Sequence, residues 1–132
     1  MPIVVERDPV RQWLVATATG EISIDDILDL LKTARASIAL RMSPMLFDAI
    51  GAATSITGEE IGAAVELVRG AIATSGTRGH VALVADDRRF YQVLLTYETG
   101  CAAIGVRFIR VFQRRSDGER WLDVMSQARN LQ

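Results

Sequence analysis

A chain of 132 residues with 49% hydrophobic and 23% charged residues has the balance of an ordinary globular protein, which excludes a disordered or fibrous chain. A formal net charge of -1 supplies no global positive field to gather phosphate backbones or anionic lipid, so nucleic acid is not an expected partner. The single cysteine, Cys101, excludes an internal disulfide and a thiolate metal cage, and fits a reducing cytosol.

The length fits one domain over residues 1–132, since domains run to about 100–150 residues. Met1-Pro2-Ile3-Val4-Val5-Glu6 lacks the charged and apolar regions of a signal peptide, and no apolar run approaches the ~20 residues of a membrane span. A cytoplasmic protein without membrane insertion is expected.

Ile3-Val4-Val5 and Trp13 to Thr19 are β-rich runs separated by Glu6-Arg7-Asp8-Pro9, a segment suited to a hairpin turn, so they should pair antiparallel. After Gly20, Ile24, Ile27, Leu28, Leu31 and Ile38 follow helical spacing, with Asp25, Asp26, Asp29, Lys32 and Arg35 on the other side. Ser23 precedes this helix as N-cap, with Asp26 three residues on. The same capping pattern places Thr57 with Glu60 ahead of Ile61, Ala64, Val65, Val68 and Ile72, and Ser116 with Glu119 ahead of Trp121, Leu122 and Met125.

Between these helices lie the mostly apolar runs Met45 to Ile50, Val81 to Ala85 and Val106 to Phe112. Such runs alternating with helices predict a mainly parallel sheet joined by right-handed crossovers. A helix from about Asp87 to Ala103 puts Phe90, Val93, Leu94 and Tyr97 on one stripe. Arg107 and Arg110 in the last run suit an exposed sheet edge. The fold class is therefore α/β, in the order β-β-α-β-α-β-α-β-α, mainly parallel with an antiparallel N-terminal strand.

No strong catalytic motif occurs: GxxxxGK[ST], GxSxG, HExxH and GxGxxG are all missing. The only histidine, His80, precedes an apolar run, where it reads as an ordinary residue at the start of a strand rather than part of a nucleophilic device. One His and one Cys leave only carboxylates for a metal, and no metal or cofactor is expected. Asp86-Asp87 is the best acidic pair. It follows a strand, where ligands gather in open α/β sheets, or it supplies an N-cap and a dipole-favoured acid. Cys101 reads as a packed residue or a reactive thiol, and Arg107, Arg110, Arg114 and Arg115 as a solvated edge or a binding stretch. The loop from Ala49 to Glu60 crowds the hydroxyls Thr54, Ser55 and Thr57 between a strand and a helix, where function often sits.

This order of elements resembles the STAS/SpoIIAA-like domains, the fold of anti-sigma factor antagonists and of the cytoplasmic tails of sulfate transporters. The stand-alone, largely uncharacterised bacterial STAS-like proteins are the most similar in kind. The resemblance is carried by the strand-strand-helix start, Leu46-Phe47-Asp48-Ala49-Ile50-Gly51, Val81-Ala82-Leu83-Val84, and a final strand followed by Glu119-Arg120-Trp121-Leu122. It implies a phospho-acceptor at the start of the second helix, inside a partner-binding surface, which falls at about Thr57-Gly58. Ile56-Thr57-Gly58-Glu59 stands where the family has Asp-Ser, and Glu59 and Glu60 would repel a phosphate on Thr57. Capping is the competing role of Thr57.

Two functions follow as expectations. One is a non-enzymatic regulatory or protein-interaction module, with an unknown protein partner or a second copy, acting through Thr54, Ser55, Thr57, Gly58, Asp86 and Asp87. The other is a small-molecule or lipid carrier, similar to SEC14 domains, with an apolar pocket lined by Phe90, Tyr91 and Tyr97.

Overall fold

The computed structural model describes residues 2–34, 36, 38–75 and 79–130, without the side chains of 38, 72–75 and 128–130. Strand β1 (Ile3–Arg7) pairs antiparallel with β2 (Leu14–Ala18), Ile3 opposite Ala18 and Arg7 opposite Leu14. The turn between them runs from Asp8 to Gln12, not from Glu6, because Glu6 and Arg7 are still in the ladder. Asp8 Oδ1 accepts the N–H groups of Val10 and Arg11, each at 2.8 Å, and these bonds hold its carboxyl below the usual range. Gln12 closes the turn in the left-handed region, at φ 65°.

A two-residue strand β3 (Glu21–Ile22) leads into helix α1 (Ile24–Ala34). The expected capping box is present: Asp26 N–H donates to Ser23 Oγ at 3.2 Å, and Ser23 N–H donates to Asp26 Oδ2 at 2.9 Å. The helix is shorter than its apolar period. Ala36 N–H turns back to the Thr33 carbonyl, and Ile38 opens a separate short helix, α2 (Ile38–Met42). Arg35 and the side chain of Ile38, assigned to opposite faces of this helix from sequence, lie outside the described residues.

The chain continues through β4 (Met45–Asp48), β5 (Ala53–Thr54), α3 (Gly58–Ser75), β6 (Val81–Val84), α4 (Arg88–Ala103), β7 (Ile109–Phe112) and α5 (Arg115–Asn130). The main sheet has the order β1-β2-β4-β6-β7, parallel at every pairing except β1 with β2. The central strands β4 and β6 are buried almost throughout, the pattern of strands covered on both faces. β3 and β5 form a separate two-stranded ladder. The expected frame is thus present, with β3, β5 and α2 added. β7 is an edge strand as expected and carries Arg110, whereas Arg107 falls before it.

Two apolar clusters hold the layers. The larger, against α1, α3 and α4, contains Phe47, Leu83, Phe90, Leu94 and Cys101. The smaller joins Trp13, Leu46, Ala82 and Val84 to Leu122 of α5 on the opposite face. α5 starts at Arg115, so Ser116 lies inside its first turn and the Arg114 carbonyl accepts the first N–H groups instead. Ile72, expected on the buried face of α3, has its side chain outside the described residues. No helix among the described residues is long and apolar enough to cross a membrane.

The start of β6 is set by a close backbone approach. Gly79 N–H donates to the Arg41 carbonyl at 2.9 Å, and a Cβ on Gly79 would strike the backbone of Ser43 and Met42. Backbone cannot step aside as a side-chain tip can. Gly79→Ala is therefore expected to lose about 1–3 kcal/mol in urea denaturation.

Candidate functional site

The carboxyl ends of β4 and β6 lie side by side, Asp48 opposite Val84, and the loops that leave them converge. Asp48 ends β4 on the face covered by α5 and is only 8% exposed. A carboxylate so placed needs compensation, and it has two partners. Arg115 Nη1 donates to Asp48 Oδ2 at 2.7 Å, and Ile50 N–H donates to Asp48 Oδ1 at 3.0 Å. The second bond bends the chain out of the strand, which is why Ala49 and Ile50 lie beyond β4 rather than within it.

From Arg115 an ionic chain runs along α5. Arg115 Nε lies 3.6 Å from Glu119, which also pairs with Arg11 at 3.1 Å, and Arg11 reaches Asp123 at 3.4 Å. The Arg11 guanidinium sits 4.7 Å above the Trp13 ring, tying the β1–β2 turn to α5. The basic stretch is thus divided: Arg115 is engaged inward, while Arg107, Arg110 and Arg114 are exposed.

Asp86 and Asp87 have separate structural tasks. Asp86 Oδ1 accepts Gly51 N–H at 3.0 Å, linking the β6 exit to the β4 exit. Gly51 turns there at φ 81°, a conformation that favours glycine. Asp87 is the N-cap of α4, its Oδ2 accepting Phe90 N–H at 2.9 Å. Of the two sequence readings of this pair, the N-cap belongs to Asp87, while Asp86 stands exposed beyond the end of β6. Among the described residues no three His, Cys, Asp or Glu side chains are grouped to hold a metal.

The hydroxyls that look alike in sequence occupy different environments. Thr54 is buried on β5; its Oγ1 donates to the Ile22 carbonyl at 2.6 Å and accepts Ile56 N–H at 3.1 Å. Ser55 is exposed, with its carbonyl accepting from Arg89 at 3.3 Å. Thr57 is also exposed and closes a capping box on α3, with Glu60 N–H donating to Thr57 Oγ1 at 3.1 Å and Thr57 N–H donating to Glu60 Oε1 at 3.0 Å. Gly58 is the exposed first residue of that helix, open to solvent where a Cβ would stand. Loss of this cap in Thr57→Ala is expected to cost about 1 kcal/mol in urea denaturation, with Thr57→Ser retaining most of it.

At the tip of this surface Ile50 is 41% exposed, a large apolar side chain between two carboxylate-held turns. Sequence reasoning placed it inside a strand and missed it. The Asp48–Arg115 pair was missed as well, although an acid inside the apolar run Met45 to Ile50 was a usable signal.

Elsewhere, Cys101 is fully buried and burial pushes its thiol up to about 11, the packed reading rather than the reactive one. His80 meets Trp121 edge-on, with ring centroids 5.5 Å apart. The larger core holds a partly open cavity of about 80 Å³, lined by Ile27, Leu31, Phe47, Phe90 and Tyr97 among other apolar side chains. Tyr91, expected to share that lining, stands outside it.

Neither a family model nor a curated protein matches this chain by sequence. A solved structure does match it: a protein of the DUF3478 family from Shewanella loihica PV-4, described as uncharacterised and as having a SpoIIAA-like fold. The two are 18% identical, with a TM-score of 0.51 over 91% of each chain. The fold here is SpoIIAA-like. In this chain the β4 exit, the loop before α3 and the β6 exit are joined through Gly51–Asp86 and Ser55–Arg89 into one rim, and five of the six sequence-derived residues stand on it exposed or half-buried. The sixth, Thr54, is beneath it.

Proposed function

We propose that the chain is a non-enzymatic protein-interaction module that engages a partner through the rim formed by Ile50, Gly51, Ser55, Thr57, Gly58 and Asp86. The observation that carries this reading is Ile50, an exposed apolar side chain on a loop fixed from both sides by Asp48 and Asp86. A loop held in place before binding loses little conformational freedom on docking, and an apolar anchor ringed by polar groups is how binding energy concentrates in interfaces. The capping bond leaves the Thr57 hydroxyl occupied by its own helix, with the Glu60 carboxylate beside it, so a phosphate there meets repulsion. The rim is read as a docking surface rather than a phosphorylation switch.

The test is affinity purification from the cells that make the protein, comparing the unchanged chain with Ile50→Asp. Loss of a stoichiometric partner from a variant with an unchanged melting temperature supports the reading. An identical set of recovered proteins from both chains sinks it.

The apolar cavity supports a second reading, a carrier of small apolar molecules. Its size limits the cargo: at about 80 Å³ it falls below the ~150 Å³ that accommodates a benzene ring, so a lipid would enter only with displacement of α1. No residue of α1 is fully buried, and Ile27, Leu30, Leu31 and Ala34 of this helix line the cavity. Solvent extraction of natively purified protein followed by mass spectrometry decides between an apolar cargo and an empty core.

A further inference from the structure

We propose that the groove between the outer edge of β1 and helix α1 receives an extended, lysine- or arginine-bearing segment of another protein, added to the sheet as an extra strand. β1 ends the sheet order. Thr19 N–H donates to the Pro2 carbonyl and Asp8 N–H to the Trp13 carbonyl, so even-numbered positions direct their main chain toward β2. By the alternation of an antiparallel ladder, the N–H and C=O groups of Ile3, Val5 and Arg7 point outward. The start of this edge lacks the protection that edges usually carry: Ile3, Val4 and Val5 are uncharged, and Val4 and Val5 are 48% and 37% exposed. The opposite edge strand, β7, carries Arg110.

Beside the edge lies a groove of about 360 Å³, walled on α1 by Asp26, Asp29, Leu30 and Thr33. The charge of that wall selects the occupant. A second copy pairing β1 with β1 about a two-fold axis would bring the acidic walls of both α1 helices together, an unfavourable like-charge contact. A strand with cationic side chains on its helix-facing side meets Asp29 and Asp26 instead. Asp26 is shared with the Ser23 cap, whereas no described residue forms an ion pair with Asp29. Main-chain pairing supplies affinity and the acidic wall supplies selection, the division of labour in strand-addition recognition.

The probe is a short, end-blocked peptide alternating valine with lysine, titrated into the full chain labelled with nitrogen-15, with its valine–glutamate counterpart as control. The lysine peptide is expected to bind saturably, to shift the amides of Ile3, Val5 and Arg7, and to outcompete the glutamate peptide. Asp29→Asn is expected to weaken it about two- to fivefold. Val5→Pro removes one outward N–H while leaving the β2 ladder intact, so it should keep the melting temperature and weaken binding roughly tenfold or more. Should Val5→Pro fail to fold, Asp29→Asn and the paired peptides still decide the matter. Absence of saturable binding, equal affinity for the glutamate peptide, or a dimer that dissociates on Val5→Pro would overturn the proposal. These residues are not those of the Ile50 rim, so failure here leaves the proposed function standing.

Discussion

Phe90→Ala is expected to destabilise the protein by about 3–5 kcal/mol, a large share of the roughly 5–15 kcal/mol that holds a domain folded. Phe90 has no exposed surface, and its ring meets Phe47 edge-on at 6.2 Å between centroids. It is the third residue of α4 and its N–H donates to the Asp87 cap, so the ring and the cap together fix the helix against the β6 exit. Truncation removes the transfer free energy of the ring and leaves a void continuous with the existing cavity of about 80 Å³. Urea denaturation measures the loss. The enlarged cavity also makes a second prediction: benzene-saturated buffer should raise the melting temperature of Phe90→Ala and leave the unchanged chain where it was.

Leu122→Ala is expected to cost about 2–5 kcal/mol, and to act on a different layer. Leu122 is fully buried among Trp13, Leu46, Ala82 and Val84, and this small cluster is what seats α5 on the sheet. The seating is close: a Cβ on Gly118 would lie 3.0 Å from Val84 Cγ2, so α5 has little room to shift and compensate. α5 also brings Arg115 to Asp48. Loosening it therefore weakens the ion pair under the Ile50 rim while the larger core, built from α1, α3 and α4, keeps its packing. Native-state hydrogen exchange should show α5 opening ahead of α3 and α4 in this variant. Uniform acceleration through all helices would mean that the two clusters are one cooperative unit.

Much of the fold is legible in the residues because its elements announce themselves locally. Continuous apolar runs mark strands covered on both faces, and these became β4 and β6. Capping boxes at Ser23 and Thr57 lie where their spacing places them. The box read at Ser116 fails for a reason outside its own segment: Glu119, which would have to reach back, is drawn to Arg11 and Arg115 at 3.1 and 3.6 Å. Helix α1 stops at Ala34 although its apolar period continues, because the chain turns through the Ala36 to Thr33 bond. β3 and β5 contain two residues each, too few for any period to register.

The site was legible as a place more than as a set of contacts. A loop rich in hydroxyls between a strand and a helix pointed to the rim that also carries Ile50. Thr54, Ser55 and Thr57 nevertheless look interchangeable in sequence, and only the β3–β5 ladder separates the buried hydroxyl from the exposed ones. The partners that shape the rim are remote: Asp48 and Arg115 are 67 positions apart, and Asp86 and Gly51 are 35 apart. No local pattern encodes such pairs. Ile50 was hidden for the same reason, since its exposure depends on the turn that Asp48 imposes.

The central claim is that the rim around Ile50 is where another protein docks. The most direct measurement places a photo-crosslinking amino acid at Ser55, with a matched chain carrying it at Arg69 far along α3, and reads adducts from living cells by mass spectrometry. The account predicts a discrete adduct with one protein from position 55 and none from position 69. Equal adducts at both positions, or none at 55, would contradict it.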